Sequence, residues 1–278
     1  TMAGKQKSKA MATWDEELAK QAEAAAGMEA NVAGGQFFSL KNGILSFNDA
    51  PVPGNQMAVV VLDAVLENVW YEGKYNPEVV NPPTCFAFGR DDREIAPHQA
   101  VVDAGQAQAE SCGVCPKNEW GTADQGRGKA CRNTRRLGLI PAGEINDKTG
   151  AFEAFEEVEH FREATVAYLR VPPTSLRGYA AFVKQVAGTL RRPPHGIFTR
   201  VRVVPDPKTQ IKVTFEPLAQ VPDELMATVM ARHEEVAKLI EFPYQLADPD
   251  AEPAKAPARG VQQRGRTAAP AGKGTRKF

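Results

Sequence analysis

The residues with the clearest capacity for chemistry are the four cysteines of the chain. Cys85, Cys112, Cys115 and Cys131 all fall within 47 residues. Two of them form the tetrapeptide Cys112-Gly113-Val114-Cys115, a spacing that lets two thiolates point at one ion. Tetrahedral Zn²⁺ takes four such ligands, and the other two cysteines complete the set. The 15-residue interval between Cys115 and Cys131 is typical of zinc ribbons and knuckles. The pattern therefore predicts a structural zinc site.

Other uses of these thiols stay open. Disulfides are disfavoured because the lysine-containing N-terminal stretch lacks the apolar segment of a secretory signal. A thioredoxin-like redox pair needs a CxxC motif between a strand and a helix, whereas Pro116 and Gly121 favour a loop here. Four unrelated buried thiols are a further alternative, and His98 could replace one cysteine as a metal ligand.

Cationic side chains follow the CxxC motif. The run from Lys117 to Arg136 carries six basic residues against two acidic ones, with a tryptophan in a glycine-rich stretch. Proteins that bind single-stranded nucleic acid combine cations along the phosphate backbone with aromatic rings on which bases stack. We expect these contacts from Lys117, Trp120, Arg127, Lys129, Arg132, Arg135 and Arg136. In the alternative interpretation, the tryptophan packs against the thiol cluster and the cations form a solvated surface.

Two further features refine this expectation. The last three arginines of the run have the spacing of one helical face, which predicts a compact cationic patch.

Aromatic residues on or beside the expected middle strands form a second candidate set: Trp70, Tyr71, Tyr75, Phe86 and Phe88. Because side chains alternate along a strand, about half of these rings must point into the core. We expect Trp70, Tyr71 and Phe88 to contribute to nucleic-acid binding.

The period of hydrophobicity predicts the elements that position these residues. A capped amphipathic helix is expected at 13–28, with Trp14, Leu18, Ala22 and Ala25 on one stripe. Further helices are expected at 176–190 and 223–241. Residues 91–160 show little periodicity apart from an acidic helical stretch near 151–163. Strands are expected at 37–40 and 44–47 around an Asn42-Gly43 turn, and at 57–71, 85–88, 165–171, 197–204 and 210–215.

This order of elements predicts a mainly β protein with flanking helices (α+β). We expect an OB-like Greek-key barrel with an inserted zinc-binding loop region. The predicted organisation is an N-terminal arm and helix at 1–30, a core at 31–246 with the insertion at about 91–160, and a disordered tail at 247–278. The fractions of 42% hydrophobic and 24% charged residues are typical of soluble globular proteins. Without an 18-residue apolar stretch, no membrane span is expected, and we expect a cytoplasmic protein.

Charge is unevenly distributed although the net charge is zero. From Lys255 to the end there are seven basic residues and no acidic ones, so the rest of the chain carries a net charge of −7. A neutral total can still contain a basic groove, because phosphates respond to the local potential. The tail therefore contacts nucleic acid or an acidic partner, or it is a solubilising end.

The segment from Cys112 to Gly121, followed by Gly126 to Leu137, resembles a motif of bacteriophage-encoded proteins that bind single-stranded DNA. The later stretch from Val171 to Leu176 is similar as well. A zinc-bearing OB barrel that coats single strands is also similar to the helix-destabilising proteins of T-even phages. This resemblance implies a role in DNA replication or recombination in the cytoplasm of a bacterial host. Such proteins end in an acidic tail that recruits replication or recombination partners, whereas this tail is basic.

The expected function is largely sequence-independent binding of single-stranded DNA, without catalysis. One alternative is a zinc-containing regulator of transcription or of RNA polymerase. Another is a metal-dependent nuclease using Asp91, Asp92, Glu94 or the acidic run 153–159, although none of these has the spacing of a nuclease metal site.

Overall fold

A computed structural model describes residues 36–73, 82–124 and 126–246. The expected helix at 13–28, the tail at 247–278 and Tyr75 lie outside these ranges. Four α-helices occur within them: α1 (Gln99–Asp103), α2 (Val158–Glu163), α3 (Leu176–Gln185) and α4 (Asp223–Leu239). The strands are β1 (Gln36–Ser39), β2 (Ser46–Phe47), β3 (Ala50–Pro51), β4 (Gln56–Trp70), β5 (Cys85–Gly89), β6 (Arg132–Ile145), β7 (Phe152–Ala154), β8 (Ala167–Val171), β9 (Ile197–Asp206) and β10 (Gln210–Gln220).

These strands form one mixed sheet in the order β10-β9-β4-β6-β8-β1-β2-β3. Only the β1–β8 pair among the described strands is parallel. The 15-residue strand β4 is central: β9 pairs with its first residues, β5 with its last ones, and β6 with almost its whole length. The two end strands of this order, β10 and β3, do not pair with each other, so the described sheet is open. The mainly β architecture with flanking helices is confirmed, whereas a closed OB-like barrel is not.

Helices cover both faces of this sheet, which explains why β4 reads as an almost continuous apolar run. On one face, called here the α3 face, Tyr179 and Phe182 pack on residues such as Val59, Leu137 and Val171. On the other, the α4 face, α2 and α4 pack on residues that include Val60, Val65 and Ile140. Gly138 allows the close approach of α4, because a Cβ there would lie 2.6 Å from Val236 Cγ1.

The hairpin expected at Asn42-Gly43 is present, with a longer connection than a two-residue turn. Phe38 pairs with Phe47 and Ser39 with Ser46. Asn42 and Gly43 both have the positive φ values that such a turn requires, 56° and 77°. The strands expected at 57–71, 85–88, 165–171, 197–204 and 210–215 are confirmed within a few residues, as are the helices at 176–190 and 223–241. The last turn of the former, Val186–Leu190, is π-helical.

The block 91–160 is more regular than its sequence indicated. It contains β6, a 14-residue strand that crosses the sheet between β4 and β8. The expectation of a helical face for Arg132, Arg135 and Arg136 is therefore wrong, because all three lie on β6. The acidic stretch near 151–163 divides into β7 and the short α2. None of the described helices has the length and apolar character needed to cross a membrane.

Candidate metal and nucleic-acid site

The four thiols, separated in sequence, line one small cavity at the end of β4, β5 and β6. Cys85 begins β5 opposite Trp70, and Cys131 immediately precedes β6. Cys112 and Cys115 lie on the turns that follow α1. The cavity has a volume of about 10 Å³, enough for a single ion or water, and its other lining residues include Asn68, Trp70 and Lys117. All four cysteines are free thiols. The thiols are therefore gathered into one place.

Nitrogen donors face two of these sulfurs. The backbone N–H of Gln108 donates a hydrogen bond to Cys85, and the side-chain amide of Asn68 donates one to Cys112. Asn133 Nδ2 donates to Asn68 Oδ1 at 2.6 Å, which turns the amide nitrogen of Asn68 towards the sulfur. Such donors stabilise thiolates and orient metal ligands. The surroundings thus fit sulfur atoms that carry negative charge.

Burial dominates the protonation of the free thiols. Burial, together with the neighbouring thiols Cys112, Cys85 and Cys115, raises the pKa of Cys131 to about 12. Burial also raises the pKa of Cys85 and of Cys112. The mutual influence places the thiols within electrostatic range of one another. A bound cation would favour the thiolates instead, because a metal deprotonates its coordinating thiols.

The four thiols do not have the geometry of a complete metal-binding site. Among the residues described, no three His, Cys, Asp or Glu side chains are drawn together closely enough to hold a metal ion. The four sulfur atoms, which are donors of the type that zinc prefers, nevertheless line one cavity. The sulfur atoms would have to move inwards to coordinate a common ion. Cys85, Cys112, Cys115 and Cys131 are therefore the residues that could hold zinc.

His98 is engaged elsewhere. Its Nδ1 accepts a hydrogen bond from the backbone N–H of Ala100 at 3.2 Å and so caps α1. Its ring stacks on Phe86, with the centroids 5.0 Å apart. The role expected as an alternative metal ligand is therefore not supported, since the ring packs against the aromatic cluster and does not line the thiol cavity.

The segment 116–131 forms a loop that its own hydrogen bonds hold in shape. Gly121 N and Ala123 N both donate to Gly128 O, at 2.9 and 3.1 Å. Thr122 Oγ1 donates to Glu119 O at 2.7 Å and accepts from Ala130 N at 3.0 Å. Cys131 N donates to Lys117 O at 2.7 Å, which ties the end of the loop to its beginning beside the thiols. We call residues 116–131 the cysteine loop.

Trp120 projects from the cysteine loop into solvent. Its side chain is 79% exposed, the highest value among the exposed large hydrophobic residues described. Lys129 Nζ lies 5.6 Å from the ring centre and 3.2 Å from Asn118 Oδ1. Arg127 is exposed on the same loop. Packing of Trp120 onto the thiol cluster, the alternative to a binding role, is therefore excluded by its exposure.

Trp70 and Lys117 form a second pair of ring and cation. Lys117 Nζ lies 4.7 Å from the centre of the Trp70 ring, within the range of a cation–π interaction. Trp70 is buried under this lysine and lines the thiol cavity. Trp70 therefore supports Lys117 and cannot stack a base itself, which corrects the expectation that it contacts nucleic acid.

Arg136 is part of the core and does not form a surface contact. Its side chain is 0% exposed and forms an ion pair with the equally buried Glu67. Arg136 Nη1 also donates to Ile240 O and Phe242 O, at 2.9 and 3.1 Å. Phe88 is half-buried, and its ring lies 4.4 Å from the guanidinium of Arg136. Both Arg136 and Phe88 were expected to contact nucleic acid, and their burial in this cluster argues against that role.

The remaining arginines of the run take different positions. Arg132 is exposed at the start of β6, whereas Arg135 is half-buried on the α3 face, 5.7 Å from the centre of the Tyr179 ring. Tyr71 follows β4 and is 39% exposed. Burial raises the pKa of Tyr71, while the positive charges of Arg170 and Arg132 oppose that shift. The charges of Arg132 and Arg170 therefore both act on the Tyr71 hydroxyl.

Arg170 and Glu67 are two charged residues of this region that the sequence patterns did not predict. Arg170 on β8 donates to Glu67 at 3.1 Å and lies 3.8 Å from the centre of the Phe37 ring, with its side chain 39% exposed. A signal existed, because Arg170 is the single charged residue of β8, and Glu67 is one of two charged residues, with Asp63, in the mostly apolar β4. Such residues need a partner of opposite charge when they are buried. Glu67 could therefore have been paired with an arginine of the basic run from the sequence.

Comparison with family models, with curated proteins and with solved structures finds no match for this chain. The resemblance to phage proteins drawn from the motifs around Cys112 and Cys131 stays a prediction. The function is therefore argued from the site alone.

Proposed function

We propose that this chain binds single-stranded DNA largely without sequence preference and protects it during replication or recombination, without catalysis. One observation carries the proposal: Trp120 is 79% exposed on a hydrogen-bonded loop, with the ammonium group of Lys129 beside its ring. An exposed indole next to cations is the arrangement on which an unpaired base stacks while its phosphate is neutralised.

A structural zinc ion is part of this proposal. Bound by Cys85, Cys112, Cys115 and Cys131, it would join β5, the turns after α1 and the start of β6. The ion would supply a rigid crosslink and no reactive group, since four sulfur ligands leave no open position. Trp120 and Lys129 lie between the third and fourth of these ligands, so the crosslink would fix both ends of the cysteine loop.

The bound DNA strand is proposed to continue beyond the cysteine loop. Arg127 and Arg132 are exposed, and the charge of the latter acts on Tyr71 together with that of Arg170. The nucleotides next to the one stacked on Trp120 would contact a second group, which consists of Tyr71, Arg132 and Arg170. The ion pair with Glu67 holds Arg170 in place and compensates part of its charge. The OB-like Greek-key arrangement remains part of the proposal, but binding at these residues does not require a closed barrel.

The test is fluorescence anisotropy with labelled single- and double-stranded oligonucleotides of the same sequence, each at two salt concentrations. The proposal expects tighter binding to single strands of any sequence and a steep loss of affinity with salt. Arg127→Gln and Arg132→Gln should each reduce the slope of log K against log salt by about 0.7, the value for one phosphate contact to a single strand. Arg202→Gln, an exposed arginine on β9, is the matched control and should leave the slope unchanged.

Other outcomes would favour the alternatives. Preference for duplex DNA would indicate the transcription regulator, and cleavage that depends on added metal would indicate the nuclease. Of the acidic residues considered for a nuclease, Asp91 is paired with Arg93.

A further inference from the structure

An apolar groove lies at the opposite end of β4 and β6 from the thiol cavity. It has a volume of about 680 Å³, within the range of about 300–1,000 Å³ found for sites that hold small molecules. Its walls come from the β1–β3 segment, the start of β4, the end of β6 and the residues before β8. The apolar members include Phe38, Phe47, Val52, Met57 and Ile145, and the polar ones include Gln36, Glu144 and Asp147.

The apolar walls of this groove are incompletely covered by the described residues. Phe38, Val52 and Met57 pack against the core of the α3 face but are only half-buried. Phe38 and Phe47 contact each other, with ring centroids 4.8 Å apart, and both line the open space. A contiguous apolar concavity of this kind is typical of a surface that another segment covers.

The chain enters the described fold at this groove. Gln36, the first described residue, begins β1 and is itself a wall of the groove. The 35 residues before it include the stretch 13–28, for which the sequence predicts an amphipathic helix. Its apolar stripe holds Trp14 and Leu18, two side chains of the size and character that an apolar groove accepts.

We propose that residues 13–28 of the same chain dock in this groove as an amphipathic helix, with Trp14 and Leu18 against Met57 and Phe38. The length permits it: a 16-residue helix is about 24 Å long, and the seven residues 29–35 can span roughly 25 Å. Charge agrees as well. Lys5, Lys7 and Lys9 precede the helix, whereas Glu144 and Asp147 are exposed at the rim of the groove.

The experiment is an NMR measurement on the full chain with ¹³C-labelled methionine methyl groups. Met57 lines the groove, while Met226 and Met230 lie on α4 and serve as internal references. Trp14→Ala should move the Met57 methyl resonance, because the ring current of the indole is removed. Glu23→Ala lies on the opposite side of the predicted helix and is the matched control, which should leave Met57 unchanged. In the reverse direction, Met57→Lys should shift the indole N–H resonance that disappears in Trp14→Ala.

The outcomes separate clearly. A Met57 shift that occurs in Trp14→Ala but not in Glu23→Ala, and that is independent of protein concentration, supports the proposal. An unchanged Met57 resonance in Trp14→Ala, together with an unchanged indole resonance in Met57→Lys, overturns it. A shift that vanishes on dilution also overturns it, because the occupant would then be the segment of another copy. Binding of DNA does not enter this test.

Discussion

Arg136 and Glu67 form an ion pair in which both side chains are completely buried beneath the C-terminal end of the described fold. Tyr244 donates a hydrogen bond to the same carboxylate, and Arg136 donates to the carbonyls of Ile240 and Phe242. Through these hydrogen bonds, the ion pair anchors the residues after α4 to the α4 face of the sheet.

Removing the arginine should destabilise the fold strongly. Arg136→Ala leaves Glu67 buried with only Arg170 and Tyr244 as partners, and breaking a buried pair in this way costs about 3–5 kcal/mol of the free energy of unfolding. Urea denaturation measures the loss. Arg162→Ala is the control, because its pair with Glu159 is exposed and should contribute at most about 1 kcal/mol. Equal, small losses in both variants would contradict the anchoring role.

Stability should fall in acid through Glu67. Burial raises the pKa of this carboxyl, but Arg136, Arg170 and Tyr244 outweigh burial and hold the pKa below its ordinary value of 4.5. A depressed pKa in the folded state stabilises the protein above the unfolded pKa, and this stabilisation is lost as pH falls through the folded pKa.

Denaturation at a series of pH values below about 4.5 tests this linkage. The free energy of unfolding should decline less steeply in Glu67→Gln than in the unmodified chain. Glu216→Gln, which changes an exposed carboxylate paired with Arg200, should retain the full slope. If Glu67→Gln had the same acid slope as the unmodified chain, the depressed pKa would be refuted.

Trp120→Ala should weaken binding to single-stranded DNA about 5-fold or more, since one base stacked on an aromatic ring contributes ~1–3 kcal/mol. Zinc content and the midpoint of unfolding should not change, because the indole is in solvent. Leu239→Ala on α4 removes an exposed apolar side chain outside the cysteine loop and is the control. Unchanged affinity in an anisotropy titration would remove Trp120 from the binding site.

The basic tail is predicted to strengthen this binding. Leu246, the last described residue before it, packs with Tyr244 against Phe86 and Val69, beside Cys85. The tail therefore starts next to the proposed site. Replacing its seven basic residues with glutamine keeps its length and should reduce the salt slope of binding. An identical slope would show that the tail does not touch the DNA.

Much of the fold followed from the sequence because its signals are local. The apolar run 57–71, the Asn42-Gly43 turn and the repeat from Leu176 to Leu190 each specify an element by themselves. β6 was missed because its first residues are basic, and Glu67, the partner of Arg136, lies 69 residues from it in sequence. Such a pairing is set by strand register, which no local pattern reveals.

The site was predictable to a similar extent. Cysteine spacing identified the four thiols that share the cavity, and composition identified the exposed Trp120. The same composition could not distinguish exposed Arg132 from buried Arg136, because both are arginines of one strand. Whether a residue faces solvent depends on what packs over the sheet, here the segment after α4 that covers Arg136 and Glu67.

The central claim is that a zinc ion held by four thiols fixes the cysteine loop for binding unpaired bases. The most direct measurement combines elemental analysis with single-strand affinity for the unmodified chain and for Cys115→Ser. We predict one zinc ion per unmodified chain, and loss of both zinc and most of the affinity in the variant. A zinc-free unmodified chain that binds single strands as tightly as Cys115→Ser does would contradict it.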